Sequence, residues 1–364
     1  MKIVVYAICK NESQFVRRWV DSMSEADQIV VLDTGSDDDT LELLRASGVR
    51  AVQEIITPWR FDTARNRSLE LVPEDADICV CTDLDEVFHP GWRVLLEKAW
   101  TPGCSQASYR YTWNFNPDGS EGHVFWTEKV HLRHGFQLVH PVHEVLKWTG
   151  PGLPGPKVTV EGMQLDHLAD PAKSRAQYLP LLELSVQEAP EDDRNMHYLG
   201  REYMFRQDWD KCIATLERHL AMPSAVWADE RCASMRFLAR AWRAKGRADL
   251  SLTWLLRAAA EAPHLREPFV ELAQLFHDTG DWAGTVWAAR RALAISQRPR
   301  TYICESSAWG SLPHDLLSIG LYHMGLLSQS LQAARDALAL EKDNDRLRGN
   351  VEIIRAAAEA RQGV

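Results

Sequence analysis

The segment Thr82-Asp83-Leu84-Asp85-Glu86 sits directly behind the apolar run Ile78–Thr82. Side chains two apart at a strand end point the same way, so Asp83 and Asp85 form a pair able to hold one hard divalent cation, which in turn grips phosphate oxygens. Asp-x-Asp also occurs in plain surface turns. What singles this one out is its place behind the fourth strand of an alternating strand–helix pattern, because ligands of such sheets gather at the carboxyl ends of the strands.

Two more segments end at the same edge. Leu32-Asp33-Thr34-Gly35-Ser36-Asp37 follows a second apolar run. Ionised Asp33 only accepts hydrogen bonds, which suits the N3–H of uracil. Gly35 lets backbone come close to a ligand, and Ser36 or Asp37 can cap the following helix. Phe61-Asp62-Thr63-Ala64-Arg65-Asn66 opens a helix, and its Arg65 either reaches a diphosphate or locks the acidic loop. The turn behind the first strand, Ala7-Ile8-Cys9-Lys10-Asn11-Glu12, contains no glycine. The glycine fingerprint of dinucleotide sites is therefore absent, and a nicotinamide enzyme is disfavoured.

Seven of the 13 histidines lie between residues 89 and 167. His131, His134, His140 and His143 have spacings that suggest zinc, but Gly135 and Pro141 interrupt the run and no cysteine accompanies it. A closed four-ligand site is disfavoured.

The elements that must position these groups follow from periodicity. Strands are expected at Lys2–Ile8, Gln28–Leu32, Val49–Ile56 and Ile78–Thr82, and helices at Ser13–Met23, Asp37–Ser47 and Thr63–Val72. Such alternation predicts βαβ units and a parallel sheet. From Cys104 to Leu168 aromatics, Gly and Pro dominate around strand-like pieces at Ala107–Trp113 and Val158–Leu165, the sheet's second half. After residue 170 only amphipathic helices follow. They pair around turns at Gln207, Gly246, Gly280 and Gly325, with a middle spacing of 34 residues and longer flanking ones that fit insertions at Met222–Ala228 and Arg298–Leu312. This resembles tetratricopeptide repeats, which bury their apolar faces by stacking. The expected domains are thus 1–170, α/β with a Rossmann-like mixed sheet, and 171–364, all-α repeats.

Composition sets the outer limits. The chain has 364 residues, 45% hydrophobic and 25% charged, with net charge −10. These values fit a folded protein of two or three domains and argue against a broad nucleic-acid-binding face. No stretch reaches the ~18 apolar residues of a membrane span, and the first apolar run is too short for a signal peptide. Seven scattered cysteines, odd in number and without a CxxC pair, read as free thiols in the cytoplasm.

Taken together, Lys10-Asn11-Glu12, Val30-Val31-Leu32-Asp33-Thr34-Gly35-Ser36, Ala64-Arg65-Asn66 and Asp83-Leu84-Asp85-Glu86 resemble an inverting family-2 glycosyltransferase of the GT-A type over roughly residues 1–170. The layout with trailing repeats is similar to that of bacterial bacteriocin S-glycosyltransferase-like proteins. The resemblance implies a UDP-sugar donor and Mn²⁺ or Mg²⁺. By position it implies Asp33 on the uracil, Asp83 near the ribose or the metal, Asp85 on the metal, and Lys10, Glu12 and Arg65 around the donor. Pro141-Val142-His143-Glu144 looks like the family's His-Glu motif near the acceptor. Inverting transfer needs one general base, for which Glu144 is the first choice and Asp118 the second. Glu144 could instead orient Arg133 or Lys147. Asp166-His167 looks like the family's post-strand histidine, and His167 or His143 would complete the metal shell with Asp85. The repeats would recruit a peptide, protein or glycan acceptor, or form a homodimer. Two other classes use similar parts. One is a non-catalytic repeat scaffold with a degenerate nucleotide-binding domain. The other is a nucleotidyltransferase, whose basic glycine-rich phosphate loop is missing here.

Overall fold

The computed structural model describes residues 1–170 and 176–362. The chain separates into two compact units, Met1–Ser185 and Val186–Val364. The start of the second region expected at residue 171 lies outside the described residues.

The first unit is built on β1 (Ile3–Cys9), all seven residues of which are buried. Alternation sends Ile3, Val5, Ala7 and Cys9 into one core, against Phe15, Val16, Trp19 and Met23 of helix α1 (Ser13–Met23). Val4 and Tyr6 face the other core, with Leu69 of α3 (Phe61–Glu70) and Val72. A strand buried on both faces reads as a continuous apolar run, and this one does. β1 pairs in parallel with β2 (Gln28–Asp33) and β4 (Ile78–Asp83), and β2 with β3 (Arg50–Gln53).

The sheet is mixed rather than wholly parallel. Helix α2 is Thr40–Ala46; β5 (Glu86–Phe88) and α4 (Trp92–Ala99) precede β6 (Gln106–Thr112), β7 (Val124–Leu132) and, further on, β10 (Lys157–His167). The eight-stranded order is β3-β2-β1-β4-β7-β6-β10-β5. β7 runs antiparallel to β4 and to β6. A hairpin of β8 (Phe136–Val139) and β9 (Val145–Trp148) stands apart.

Two expected elements are shorter than periodicity indicated, for one reason. α2 begins at Thr40 because Asp38 takes the Thr40 backbone N–H (3.0 Å), so the segment before it forms a loop. Neither Ser36 nor Asp37 makes that cap. Ser36 Oγ accepts the Asn11 N–H (2.8 Å), and the Asp37 N–H donates to Asn11 Oδ1 (2.9 Å). The loops behind β1 and β2 are therefore laced together at the sheet's carboxyl edge. β3 stops at Gln53, whose amide reaches back to Asp33 (2.8 Å).

Helix α5 (Tyr178–Glu188) spans the division between the units. In the second unit the helices pair as α6 (Asp193–Phe205) with α7 (Trp209–Ala221), and α8 (Ala228–Ala244) with α9 (Ala248–Glu261). α10 (Glu267–Asp278) then pairs with α11 (Trp282–Leu293), α12 (Leu312–His323) with α13 (Leu327–Leu340), and α14 (Asp345–Gln362) follows. The four turn residues singled out from sequence, Gln207, Gly246, Gly280 and Gly325, all have left-handed φ, from 60 to 75°. This is how a helix is stopped and its chain reversed, and Gln207 does it without glycine's freedom. A short 3₁₀ turn, Ser306–Trp309, accounts for part of the longest spacing.

Candidate functional site

β4 ends at Asp83, and the chain turns through Leu84 and Asp85 into β5. Leu84 is 1% exposed and packs in the core cluster that holds Phe88 and Trp92, which anchors the turn from within. Asp83 stays half-buried, while Asp85 and Glu86 are buried. Glu86, unremarked in the sequence beyond its place in the motif, organises the turn. One of its oxygens accepts the Asp83 N–H (2.9 Å); the other accepts from the Tyr111 hydroxyl (2.7 Å) and the Lys129 ammonium (2.8 Å).

Arg65 takes the second of its two expected roles. Its buried guanidinium bonds Asp83 Oδ1 (2.7 Å) and Glu144 Oε1, and so ties the acidic turn to the loop behind β8. The next residue explains how that loop is held. Asn66 exchanges two hydrogen bonds with the Leu138 backbone (2.8 and 2.9 Å), fastening β8 to α3. The Phe61 N–H donates to Pro141 O (2.9 Å), and Phe61, Tyr178 and His143 stack in succession. Of the two cations suggested as partners for Glu144, Arg133 lies instead on Val72 O and Glu74.

Lys129, on β7, was not found from sequence. It faces Asp83 (3.4 Å) and Glu86 (2.8 Å). Burial opposes its charge, but these two carboxylates outweigh it and hold the amine well above its usual pKa. Arg65 is governed in the same way, by burial against Asp83 and Glu144. The signal available in the sequence was a lone lysine inside a strand-like run, a weak one.

His167 ends β10. Its Nδ1 lies 2.9 Å from Trp113 O and its Nε2 lies 3.4 Å from Asp85 Oδ2. A carbonyl can only accept, so the proton belongs on Nδ1 and Nε2 is left to face Asp85. Burial works against charge on this ring, but Asp85 prevails and its pKa is raised. The pair fits a divalent ion. Ligand atoms around an octahedral ion bonded at about 2.1 Å stand about 3 Å apart, and the Trp113 carbonyl is the outer partner that orients a ligating imidazole. His143, the other histidine considered for the shell, is engaged with Tyr178.

Asp33 is fully buried and accepts from the Gly35 and Ser36 N–H groups (3.0 and 2.9 Å), the Ser36 hydroxyl, Gln53 (2.8 Å) and the Cys9 thiol (3.4 Å). Burial raises its pKa, but these donors outweigh that and the net shift is downward. Gly35 has φ +108°, and a Cβ there would meet the Ile55 side chain at 3.4 Å. Lys10 is exposed on the loop behind β1, and Glu12 is buried at the start of α1. Asp118 is exposed at the tip of the β6–β7 hairpin, where its carboxylate accepts from the Ser120 N–H (2.9 Å) and hydroxyl.

The four suspected zinc histidines do not converge. His131 is buried against Tyr6 Oη (2.9 Å) and Leu132 O (2.7 Å), and His134 lies on Glu74 O. Among the described residues, three potential ligand atoms come together instead in the helical unit, at Asp193, His219 and Glu230.

The first unit is thus a mixed α/β sheet with a carboxylate-rich site at its strand ends. Residues 4–140 match the model of Glycosyl transferase family 2, and the sheet is GT-A-like. Among solved structures, the chain is similar to glucosyl-3-phosphoglycerate synthase from Mycobacterium tuberculosis, 28% identical with a TM-score of 0.27, covering 30% of this chain and 44% of that one. It is similar to MamA, 13% identical with a TM-score of 0.38, covering 46% of this chain and 89% of that one. It is also similar to YrrB, described as a TPR protein with an unusual peptide-binding site, 11% identical with a TM-score of 0.40, covering 49% and 84%. No curated protein matches the chain. Among the described residues, no helix is long and apolar enough to cross a membrane.

Proposed function

We propose that the protein is a metal-dependent inverting glycosyltransferase that moves a sugar from a UDP-sugar to a peptide, protein or glycan acceptor by single displacement. The observation that carries this reading is the gathering of Asp83, Asp85, Glu86 and Glu144 at the strand ends of a family-2 match, with Asp85 facing the His167 ring across 3.4 Å. Carboxylates crowded in a partly buried site are costly, and a divalent ion relieves them.

Asp85 and His167 would hold Mn²⁺ or Mg²⁺. When bound, such an ion supplies positive charge to the departing diphosphate. Asp33 shapes the nucleoside loop, and uracil N3–H would replace the Ser36 hydroxyl on its carboxylate. Lys10 and Glu12 border the donor, and Asp83 turns toward the ribose. Arg65 is a positioning residue for Asp83 and Glu144. Glu144 takes the acceptor proton, on the oxygen that Arg65 does not engage, as the acceptor atom bonds to C1 and the C1–O bond to UDP breaks. Asp118 is the second candidate base. The helical repeats would recruit the acceptor or pair two copies. Seven buried, unpaired cysteines support a reducing, cytoplasmic setting.

Calorimetric titration of the full chain with UDP, with and without Mn²⁺, followed by hydrolysis of UDP-, GDP- and dTDP-sugars, tests the reading. Metal-dependent UDP binding and UDP-sugar turnover are expected. Absence of metal-dependent binding would favour the scaffold, and pyrophosphate release from UTP and a sugar 1-phosphate would favour a nucleotidyltransferase.

A further inference from the structure

The helical unit carries its own cluster of ligating side chains. Asp193 is the first residue of α6, His219 lies in the last turn of α7, and Glu230 lies in the first turn of α8. Consecutive helices reverse direction at Gln207 and again after Ala221, so these three helix ends meet. One ligand atom from each lies within 4.8 Å of the others.

Helix dipoles explain acids at two N-termini and a histidine at a C-terminus. They do not explain the state of the His219 ring. His219 is 0% exposed, and among the described residues neither ring nitrogen has a hydrogen-bond partner. Its Nε2 stops 3.5 Å from Glu230 Oε1, beyond a normal N–H···O contact. Leaving such a group unsatisfied inside a protein is unfavourable, because its desolvation is not repaid. That separation is what two ligands of one ion show: around a tetrahedral centre bonded at about 2.1 Å they stand about 3.4 Å apart. Glu230 is 3% exposed, and its other oxygen is fixed by the Tyr302 hydroxyl, an outer partner that orients a ligating carboxylate. His197 walls one side, its ring centroid 5.6 Å from that of His219 and its Nδ1 held by the Ser234 hydroxyl (2.7 Å). Asp193 is only partly buried and leaves an approach from solvent.

We propose that Asp193, His219 and Glu230 bind one late first-row divalent ion, of the zinc class, which ties together the ends of α6, α7 and α8. One imidazole and two carboxylates suit zinc, with water completing the shell on the Asp193 side. The ion would fix the first helix pair against the next, independently of the strand-end site.

The test uses full-length protein stripped with a chelator and titrated with Zn²⁺. Bound metal is counted after gel filtration, and thermal unfolding is followed in parallel. Asp85→Asn removes the other candidate site and should retain one equivalent of Zn²⁺ and a Zn²⁺-dependent rise in Tm. Adding Asp193→Asn or His219→Gln to that variant should lose both. His219 is buried and its variant could misfold, whereas Asp193 is partly exposed and Asp192 supplies the α6 cap, so Asp193→Asn keeps the test decisive. Equal Zn²⁺ content with and without Asp193→Asn, or no Zn²⁺-dependent rise in the Asp85→Asn protein, would overturn the proposal and leave a metal-free ion pair.

Discussion

The strand-end site of the first unit and the arginine network of the helical unit handle buried charge in different ways. In the helical unit Arg236 and Arg240 of α8 meet Glu271 of α10 and Glu305, two cations against two carboxylates. Burial resists the charge on Glu305, yet the two guanidinium groups pull its pKa down to about 2. At the strand ends of the first unit Asp83, Asp85, Glu86 and Glu144 gather, with Arg65 and Lys129 as their cations among the described residues and the His167 ring facing Asp85. A balanced buried network is a weld between elements. A group of carboxylates, held at a strand edge by a turn whose middle residue is core, is a place where a cation has something to do.

The sharpest way to break this contrast is Asp85→Ala. Transfer and metal-dependent UDP binding should be lost, with the unfolding midpoint little changed because the residue sits at a turn rather than in the apolar core; wild-type turnover would refute the metal assignment. Glu144→Gln should lower kcat by ~10²–10⁴-fold on a hydroxyl acceptor, the usual share of a general base. UDP affinity should hold. A thiol acceptor should shrink the effect, since a thiol of pKa ~8.5 is already partly ionised near neutrality. If turnover on a hydroxyl acceptor is unchanged, Glu144 serves only Arg65 and Asp118 becomes the base.

On the balanced side, Arg236→Ala leaves Glu271 and Glu305 short of a partner. It should cost ~3–5 kcal/mol in urea unfolding without altering UDP binding. A pH effect of similar or smaller size belongs to His131, whose pKa is pushed down to about 4 chiefly by burial. The native state favours the neutral ring, so stability is full above pH ~6.5 and falls as pH drops toward 4, where the loss levels off at about 3 kcal/mol. His131→Gln should flatten that acid limb in chemical unfolding measured between pH 7 and pH 4. The smallest effect is expected at Asp33→Ala, where donor KM should rise ~10-fold with little change in kcat, since a base contact is equal in ground and transition states. A preference for GDP-sugars would count against its proposed role.

Much of the framework was legible because it is local. β1 reads as a strand since all its residues are apolar, α1 shows its helical stripe in Phe15, Val16, Trp19 and Met23, and the four αL turns stand where the helical pattern breaks. The motif order also placed Asp33 and Asp83 at the same edge of the sheet, on the two strands that flank β1, because parallel strands joined by helices must finish on one edge. Element lengths were less legible. α2 and β3 are cut short by Asp38 and Gln53, whose side chains bond backbone or carboxylate groups across a loop, which no periodicity records.

By itself the sequence determined the two-part architecture, the carboxylates at the strand ends and the reversal of each helix pair, since these follow from apolar spacing and from residue types within a few positions. Only the tertiary structure decided what those groups touch. Arg65 meets Glu144 from 79 residues away, Lys129 reaches Asp83 across the β4–β7 pairing, and His219 is enclosed between the ends of two other helices. Each depends on which elements come to lie side by side, a result of packing the whole chain that is written in no single segment of it.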